Sequence, residues 1–398
     1  MDSGSRLPGI SWARLGVAGG LAGALLVALP VQVLAQVVQV GVTVPTTGPA
    51  AILGIGARNA ISLFPRKIGG MEVEFKIVDD ASDTTNTVKN VKMFIDQKVD
   101  LVVGSSTSPQ SLAAVEAVSG TETPLIALGA SARIVKPMDD KKKWVFKTSA
   151  NDSLMASAIV SHMVAHGVKT IGFIGFNDAY GESWLTEMKD FAERNKLNIV
   201  SVERFNPKDT SVTAQVLRVT TAKPDAIIVA GSGTPAAMPQ VALKERGYKG
   251  RIYQTHGAAT EDFLRVGGKA LNGGYLPVGP NLVWEQLPEN YPTKAISARF
   301  VPQYESKFGK NSRSNFAAQA YDVLFLLERA LPEAARKAKP GTREFRVALR
   351  DALENVKGLA GNAGVFNMTP EDHSGLDERA RVIVRIEDGK WVLDSTPQ

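Results

Sequence analysis

Cysteine is absent from all 398 residues. That excludes a disulfide framework, thiolate-ligated zinc, iron–sulfur clusters, cysteine nucleophiles and lipid attached to an N-terminal cysteine. Histidine is scarce, with four in the chain, so imidazole-based acid–base and metal chemistry has few candidates. His162 and His166 share a helix face, but Met163, Val164 and Ala165 between them supply no glutamate for a zinc-protease motif. Gly54-Ile55-Gly56 lacks the third glycine of a dinucleotide fingerprint, Gly309-Lys310 lacks the upstream glycine of a phosphate loop, and no Gly-x-Ser-x-Gly elbow occurs. No catalytic residue, metal or cofactor is therefore expected. A strong charge excess is also missing. Lys and Arg number 46 against 40 Asp and Glu, a net +6, and without basic residues gathered on one face nucleic acid is not expected as a partner. The densest run, Asp139 to Lys143, reads as a solvated turn.

One long apolar stretch is present, and it stands at the start. Arg6 and Arg14 precede an apolar segment from Leu15 to Leu29, Pro30 interrupts it, and Val33-Leu34-Ala35 closes it. This is the layout of a secretory signal peptide, short for a membrane span, with cleavage expected before Gln36. No later apolar run reaches about 18 residues, so a soluble, exported protein is expected, in a Gram-negative periplasm and monomeric. At 44% apolar, a chain of this length can bury two or three cores.

From Val38 onward, β-branched runs of strand length alternate with segments of helical period, the pattern of βα units on a parallel sheet. Strands are predicted at 38–44, 72–78, 100–104 and 124–128, with helices at 52–64, 84–97 and 109–118. After Lys143 the alternation restarts: strands at 144–148, 170–176, 198–205, 225–230 and 251–255 enclose helices, one of them at 182–196. The last third changes rhythm, with Gly/Pro-rich extended chain at 273–280, helices at 290–308, 316–338 and 342–356, and a terminal hairpin turning at Glu387-Asp388-Gly389-Lys390. The prediction is an α/β protein of two doubly wound parallel-sheet lobes joined by three crossover segments. Lobe 1 takes residues 36–148 and 281–361; lobe 2 takes 149–280 and 362–398.

Several local motifs in this order carry a resemblance: Gly41-Val42-Thr43-Val44-Pro45-Thr46-Thr47-Gly48-Pro49, Val102-Val103-Gly104-Ser105-Ser106-Thr107-Ser108-Pro109, Pro124-Leu125-Ile126-Ala127-Leu128-Gly129-Ala130-Ser131, Asn177-Asp178-Ala179-Tyr180-Gly181, and Gly364-Val365-Phe366 followed by Asp372-His373. Over nearly all of the chain after residue 35, the sequence resembles the type I periplasmic solute-binding proteins of ABC importers, the leucine/isoleucine/valine-binding family. The resemblance implies a binding protein that captures a small carboxylate-bearing solute by lobe closure and presents it to an inner-membrane ABC permease. A sensory protein reporting the solute to a membrane receptor would use the same fold and cleft.

In open α/β sheets, ligands gather beyond the carboxyl ends of strands. Ser105, Ser106 and Thr107 occupy such a place and precede a helix, so they can receive a carboxylate or simply cap the helix. The resemblance implies the first role for them, and contacts to the ligand carboxylate and ammonium from Gly129 and Ser131. It also implies that Tyr180, placed in a loop after strand 170–176, covers the ligand on closure. Ser232 sits where relatives often present an aromatic residue, while Ile52 and Leu53 fit either a ligand wall or a helix core. One departure stands out. Amino-acid binders of this family carry an acid after the strand that here ends at Thr255, whereas this chain reads His256-Gly257-Ala258-Ala259-Thr260, and acid appears first at Glu261. Either Glu261 turns inward or the ligand has no ammonium, and His256 then donates to a phenol, carbonyl or carboxylate. An aromatic or keto acid is the preferred ligand, ahead of leucine.

Overall fold

The structure is a computed structural model that describes residues 37–397; the expected signal peptide and its expected cleavage site lie outside them. Six strands make the first sheet: β1 (Val38–Val44), β2 (Lys67–Ile68), β3 (Met71–Asp79), β4 (Leu101–Gly104), β5 (Leu125–Ala127) and β6 (Val145–Lys147), in the order β2-β3-β1-β4-β5-β6. All pairs are parallel except β2 with β3. The connecting helices are α1 (Ala51–Ile61), α2 (Thr84–Asp96) and α3 (Ser108–Val118). With helices on both faces, strands such as β4 are buried throughout. Alternate residues then feed opposite cores, Leu101 and Val103 one way and Val102 the other.

The second sheet contains β7 (Thr170–Phe176), β8 (Asn198–Phe205), β9 (Ala226–Ala230), β10 (Arg251–Gln254) and β11 (Gly274–Val278). Its helices are α4 (Asp152–Ala165), α5 (Ala179–Arg194), α6 (Thr213–Thr221), α7 (Ala237–Glu245) and α8 (Glu261–Gly267). The chain then returns to cover the first sheet with α9 (Lys294–Phe308), α10 (Asn315–Ala335) and α11 (Arg343–Glu354), whose apolar faces join its core. A small ladder of β12 (Leu359–Ala360) and β13 (Val365–Phe366) follows. The hairpin β14 (Val382–Glu387) and β15 (Lys390–Ser395) completes the second sheet in the order β15-β14-β11-β10-β9-β7-β8. Its turn places Asp388 and Gly389 at φ 47° and 70°, the positive-φ pair that suits a two-residue hairpin.

The α/β class and the doubly wound pattern agree with the sequence reading. The stretch 273–280, read there only as extended, is the inner strand β11 despite Pro277. The β10 ladder reaches only Gly274 and Tyr275, so Pro277 stands beyond its end and owes it no amide. Tyr180 belongs to the first turn of α5 rather than to a loop, because Asp178 caps that helix through bonds from the Tyr180 and Gly181 amides. The chain passes between the sheets after Lys147, after Val278 and after Met368, since Phe366 and Met368 still pack in the core of the first sheet.

Candidate functional site

Between the sheets lies a cleft of about 600 Å³. Loops leaving the carboxyl ends of β1, β3, β4 and β5 form one wall, and those leaving β7, β8, β9 and β10 form the other, as expected for doubly wound sheets. Five of the eight sequence-predicted residues line it: Ser106, Thr107, Tyr180, Ser232 and His256. Ser105, Gly129 and Ser131 do not; they sit just behind it.

Ser105 is fully buried and its hydroxyl donates to Asp80 Oδ2 over 2.7 Å. Its carbonyl accepts the Ser111 hydroxyl at 2.8 Å, and Ser111 Oγ in turn accepts the Gly129 amide at 3.2 Å. Gly104, before it, has φ 125°, and a Cβ there would stand 1.9 Å from the Thr43 carbonyl oxygen; no side chain fits. This bracing turns Ser106 toward the cleft. Its hydroxyl is buried with no partner, and an unpaired buried hydroxyl is costly unless a ligand completes it. Thr107 occupies the N-cap of α3 without capping it, since its hydroxyl is directed to the Gln110 side chain. The Ser108 and Gln110 amides of the first turn therefore stay open to an anion, Pro109 between them having none.

The Gly129–Ser131 turn is held from the crossover side. Ser149 Oγ donates to the Gly129 carbonyl, and Lys147 Nζ donates to the carbonyls of Ala130 at 2.7 Å and Ser131 at 3.2 Å. Ser131 Oγ lies 3.0 Å from Ser183 Oγ on α5, a direct link between the two lobes. Lys147 and Asp152 are both fully buried. Burial pushes the ammonium down and the carboxyl up, and each charge opposes the shift of the other.

On the opposite wall, the Tyr180 hydroxyl donates to Thr255 Oγ1 at 2.8 Å, and Thr255 Oγ1 donates to the Gly231 carbonyl at 2.8 Å. Tyr180 is thus a fixed apolar surface, and burial raises its pKa. Beside it His256 is 2% exposed, with Nδ1 unpartnered. Burial, with the Lys147 charge nearby, pushes its pKa down to about 3, so the imidazole is neutral and can donate one hydrogen bond. Ser232 is half-buried on the same wall. Glu261 is exposed on the first turn of α8 and away from the cleft. His162 and His166 are distant too; His162 is buried between the Tyr253 hydroxyl at 2.8 Å and the Asp394 carboxylate at 3.2 Å. Among the described residues no cluster of histidine and acid side chains could hold a metal ion.

A family model described as periplasmic binding protein matches residues 37–390. The chain belongs to the periplasmic binding protein family. Its resemblance to the type I, leucine/isoleucine/valine-binding kind also holds. A leucine-, isoleucine-, valine-, threonine- and alanine-binding protein of Pseudomonas aeruginosa is 24% identical, with 86% of each chain covered. The crystal structure of an extracellular ligand-binding receptor from Rhodopseudomonas palustris HaA2 is 41% identical, with a TM-score of 0.87, over 90% of this chain and all of that one. At 21% identity and a TM-score of 0.75, covering 91% of this chain and 97% of the other, the fold is shared with a solute-binding protein of an ABC transporter from Rhodopseudomonas palustris BisB5, solved with 3,4-dihydroxybenzoic acid.

Periplasmic binding proteins take small molecules in such a cleft and work with ABC permeases in the periplasm. In this one, several lining residues were not named in the sequence reading. Phe176 ends β7 and the Asn206–Asp209 loop follows β8, so the strand-end rule that found Ser106 also reaches them. Phe316 and Gln319 carry no local signal. They reach the cleft because α10 returns across the first sheet far along the chain.

Proposed function

We propose that this periplasmic binding protein captures a small carboxylic acid without an α-ammonium group, an aromatic or keto acid, for an ABC importer. The observation that carries the reading is His256: a buried, neutral donor stands on the wall where an ammonium would need an acid. A buried ammonium without a counter-charge is strongly disfavoured. The carboxylates that do line the cleft already serve backbone amides: Asp83 accepts from Asn86, Asp178 from Tyr180 and Gly181, and Asp209 from Asn206. The ligand's carboxylate meets Ser106 and Thr107 at the open end of α3, and its body rests against Tyr180, Phe176 and Leu53. His256 and Ser232 meet a distal oxygen, while Ser105, Gly129 and Ser131 shape the floor. Lobe 1, residues 36–148 and 281–368, closes on lobe 2, residues 149–280 and 369–398; the third boundary lies after Met368 rather than at 361 because Ala363, Phe366 and Met368 pack on the first sheet. The mature protein, cleaved before Gln36, acts as a monomer in the periplasm. A neighbour of the same fold solved with 3,4-dihydroxybenzoic acid supports this ligand class.

A thermal-shift panel tests it. Benzoate, 4-hydroxybenzoate and phenylpyruvate should raise the melting temperature, because ligand binding only the native state adds about 2.7 kcal/mol at a hundredfold excess over Kd. A large shift with leucine, isoleucine or valine and none with the acids would overturn it.

A further inference from the structure

We propose that Asp80 is the positioning residue of the carboxylate receptor, holding the turn at Ser105–Thr107 and the turn at Ser82–Asp83 in one arrangement through hydrogen bonds from both. The inference rests on the reading that the open end of α3 receives the ligand's carboxylate. Asp80 is fully buried at the end of β3 and does not line the cleft, so it acts through others. Its Oδ2 accepts the Ser105 hydroxyl at 2.7 Å and the Thr43 hydroxyl at 3.4 Å; its Oδ1 accepts the Ser82 amide at 3.1 Å. Both turns are cleft walls: Ser82 and Asp83 line it on one side of this carboxylate, and Ser106 and Thr107 on the other. A carboxylate that accepts from two separate loops ties their positions together, and only the ionised form offers acceptors alone.

The surroundings leave this group free to titrate in a useful range. Around it, β1 presents Thr43 and α2 presents Asn90, which donates to the Thr43 hydroxyl; the turn after β4 presents Ser105, and all three are uncharged. The charged neighbours are Asp79 on its own strand and Asp83, whose carboxylate accepts the Asn86 amide. Burial, joined by the Asp79 charge, outweighs the hydrogen bonds and pushes the Asp80 carboxyl up to about 6. Mild acid therefore protonates it and removes the cost of its buried charge, which steadies both turns, while neutral His256 does not change charge over the same range.

Hydrogen exchange of the mature full-length protein reads the effect without any ligand. In Asp80→Asn and Ser105→Ala, amides of residues 105–111 should lose about tenfold in protection, equivalent to one hydrogen bond, while β7 and β9 keep theirs. In the wild type that protection should rise as pH drops through 6, and in Asp80→Asn it should stay flat. Calorimetry with benzoate and with leucine adds an affinity arm, since both carry a carboxylate. The two substitutions should each weaken binding about tenfold, and the double variant should lose no more than either alone. Unchanged protection at 105–111, equal losses throughout the protein, or pH-independent protection in the wild type would overturn the role of Asp80. Leucine binding with benzoate inert would overturn only the ligand class, because the Asp80 effect would then be read on leucine.

Discussion

Ser106 and His256 share a property that a folded protein tolerates only for a reason: each buries a polar atom with nothing to bond. The cost of such an atom is about 1–3 kcal/mol, and a ligand recovers it. Ser106→Ala should therefore weaken binding by about 1.5–3 kcal/mol, roughly ten- to a hundredfold, measured by calorimetry, without lowering the melting temperature of the empty protein. His256→Glu tests the same wall from the other side. It supplies the acid that an α-ammonium needs, so leucine should gain affinity and benzoate should lose it. Asp80 carries a pH signature. A carboxyl whose folded pKa is raised to about 6 stabilises the fold below its unfolded value, near 4, and that contribution is lost as pH rises through 6. Asp80→Asn does not titrate, so its melting temperature relative to wild type should climb between pH 4 and pH 7. A flat difference would mean that Asp80 ionises as an ordinary surface carboxyl.

The element that organises the receptor is the passage from β4 into α3. Its sequence, Val102 to Pro109, was legible as strand, turn and helix start, because a buried β-branched run, a glycine and a hydroxyl cluster before proline each have one local meaning. What escaped was which hydroxyl faces the cleft. Three consecutive residues, Ser105, Ser106 and Thr107, look alike in a string. In the fold Asp80 claims the first, solvent space in the cleft receives the second, and Gln110 engages the third. Gly104 sets that choice. Its φ of 125° and the 1.9 Å approach a Cβ would make to the Thr43 carbonyl mean that Gly104→Ala must shift β1 or β4. Strain of this kind is worth about 1–3 kcal/mol, so chemical denaturation should show a loss of that order, together with weakened ligand binding.

At the scale of the whole molecule, the lobes meet beside the cleft through small residues. Ser131 touches Ser183, and Gly233, at φ 60°, leaves room for Leu53, whose Cδ1 would lie 3.0 Å from a Cβ at that position. Closure brings these contacts together. Gly233→Val should hold the lobes apart: small-angle scattering with saturating ligand should show a larger radius than for the wild type, and affinity should fall. An unchanged radius and affinity would show that the contact at Gly233 plays no part in closure.

Period and punctuation settle what depends on neighbours in the chain. Alternating β-branched runs and helical stretches announced the paired sheets, strand ends announced where a ligand would sit, and the missing acid after Thr255 announced an unusual wall. None of this needs the fold: the first two are properties of a few adjacent residues, and the third stands out against the family that the sequence resembles. Tertiary contact settled the rest. Whether Ser105 or Ser106 faces the ligand, that Lys147 and Ser149 brace the Gly129–Ser131 turn, that Glu261 stays outside, and that Phe316 and Gln319 arrive from a distant helix all depend on partners far away in sequence. Local pattern specifies an element; desolvation and hydrogen-bond competition among elements, which exist only once the chain is packed, specify the role of each side chain in it.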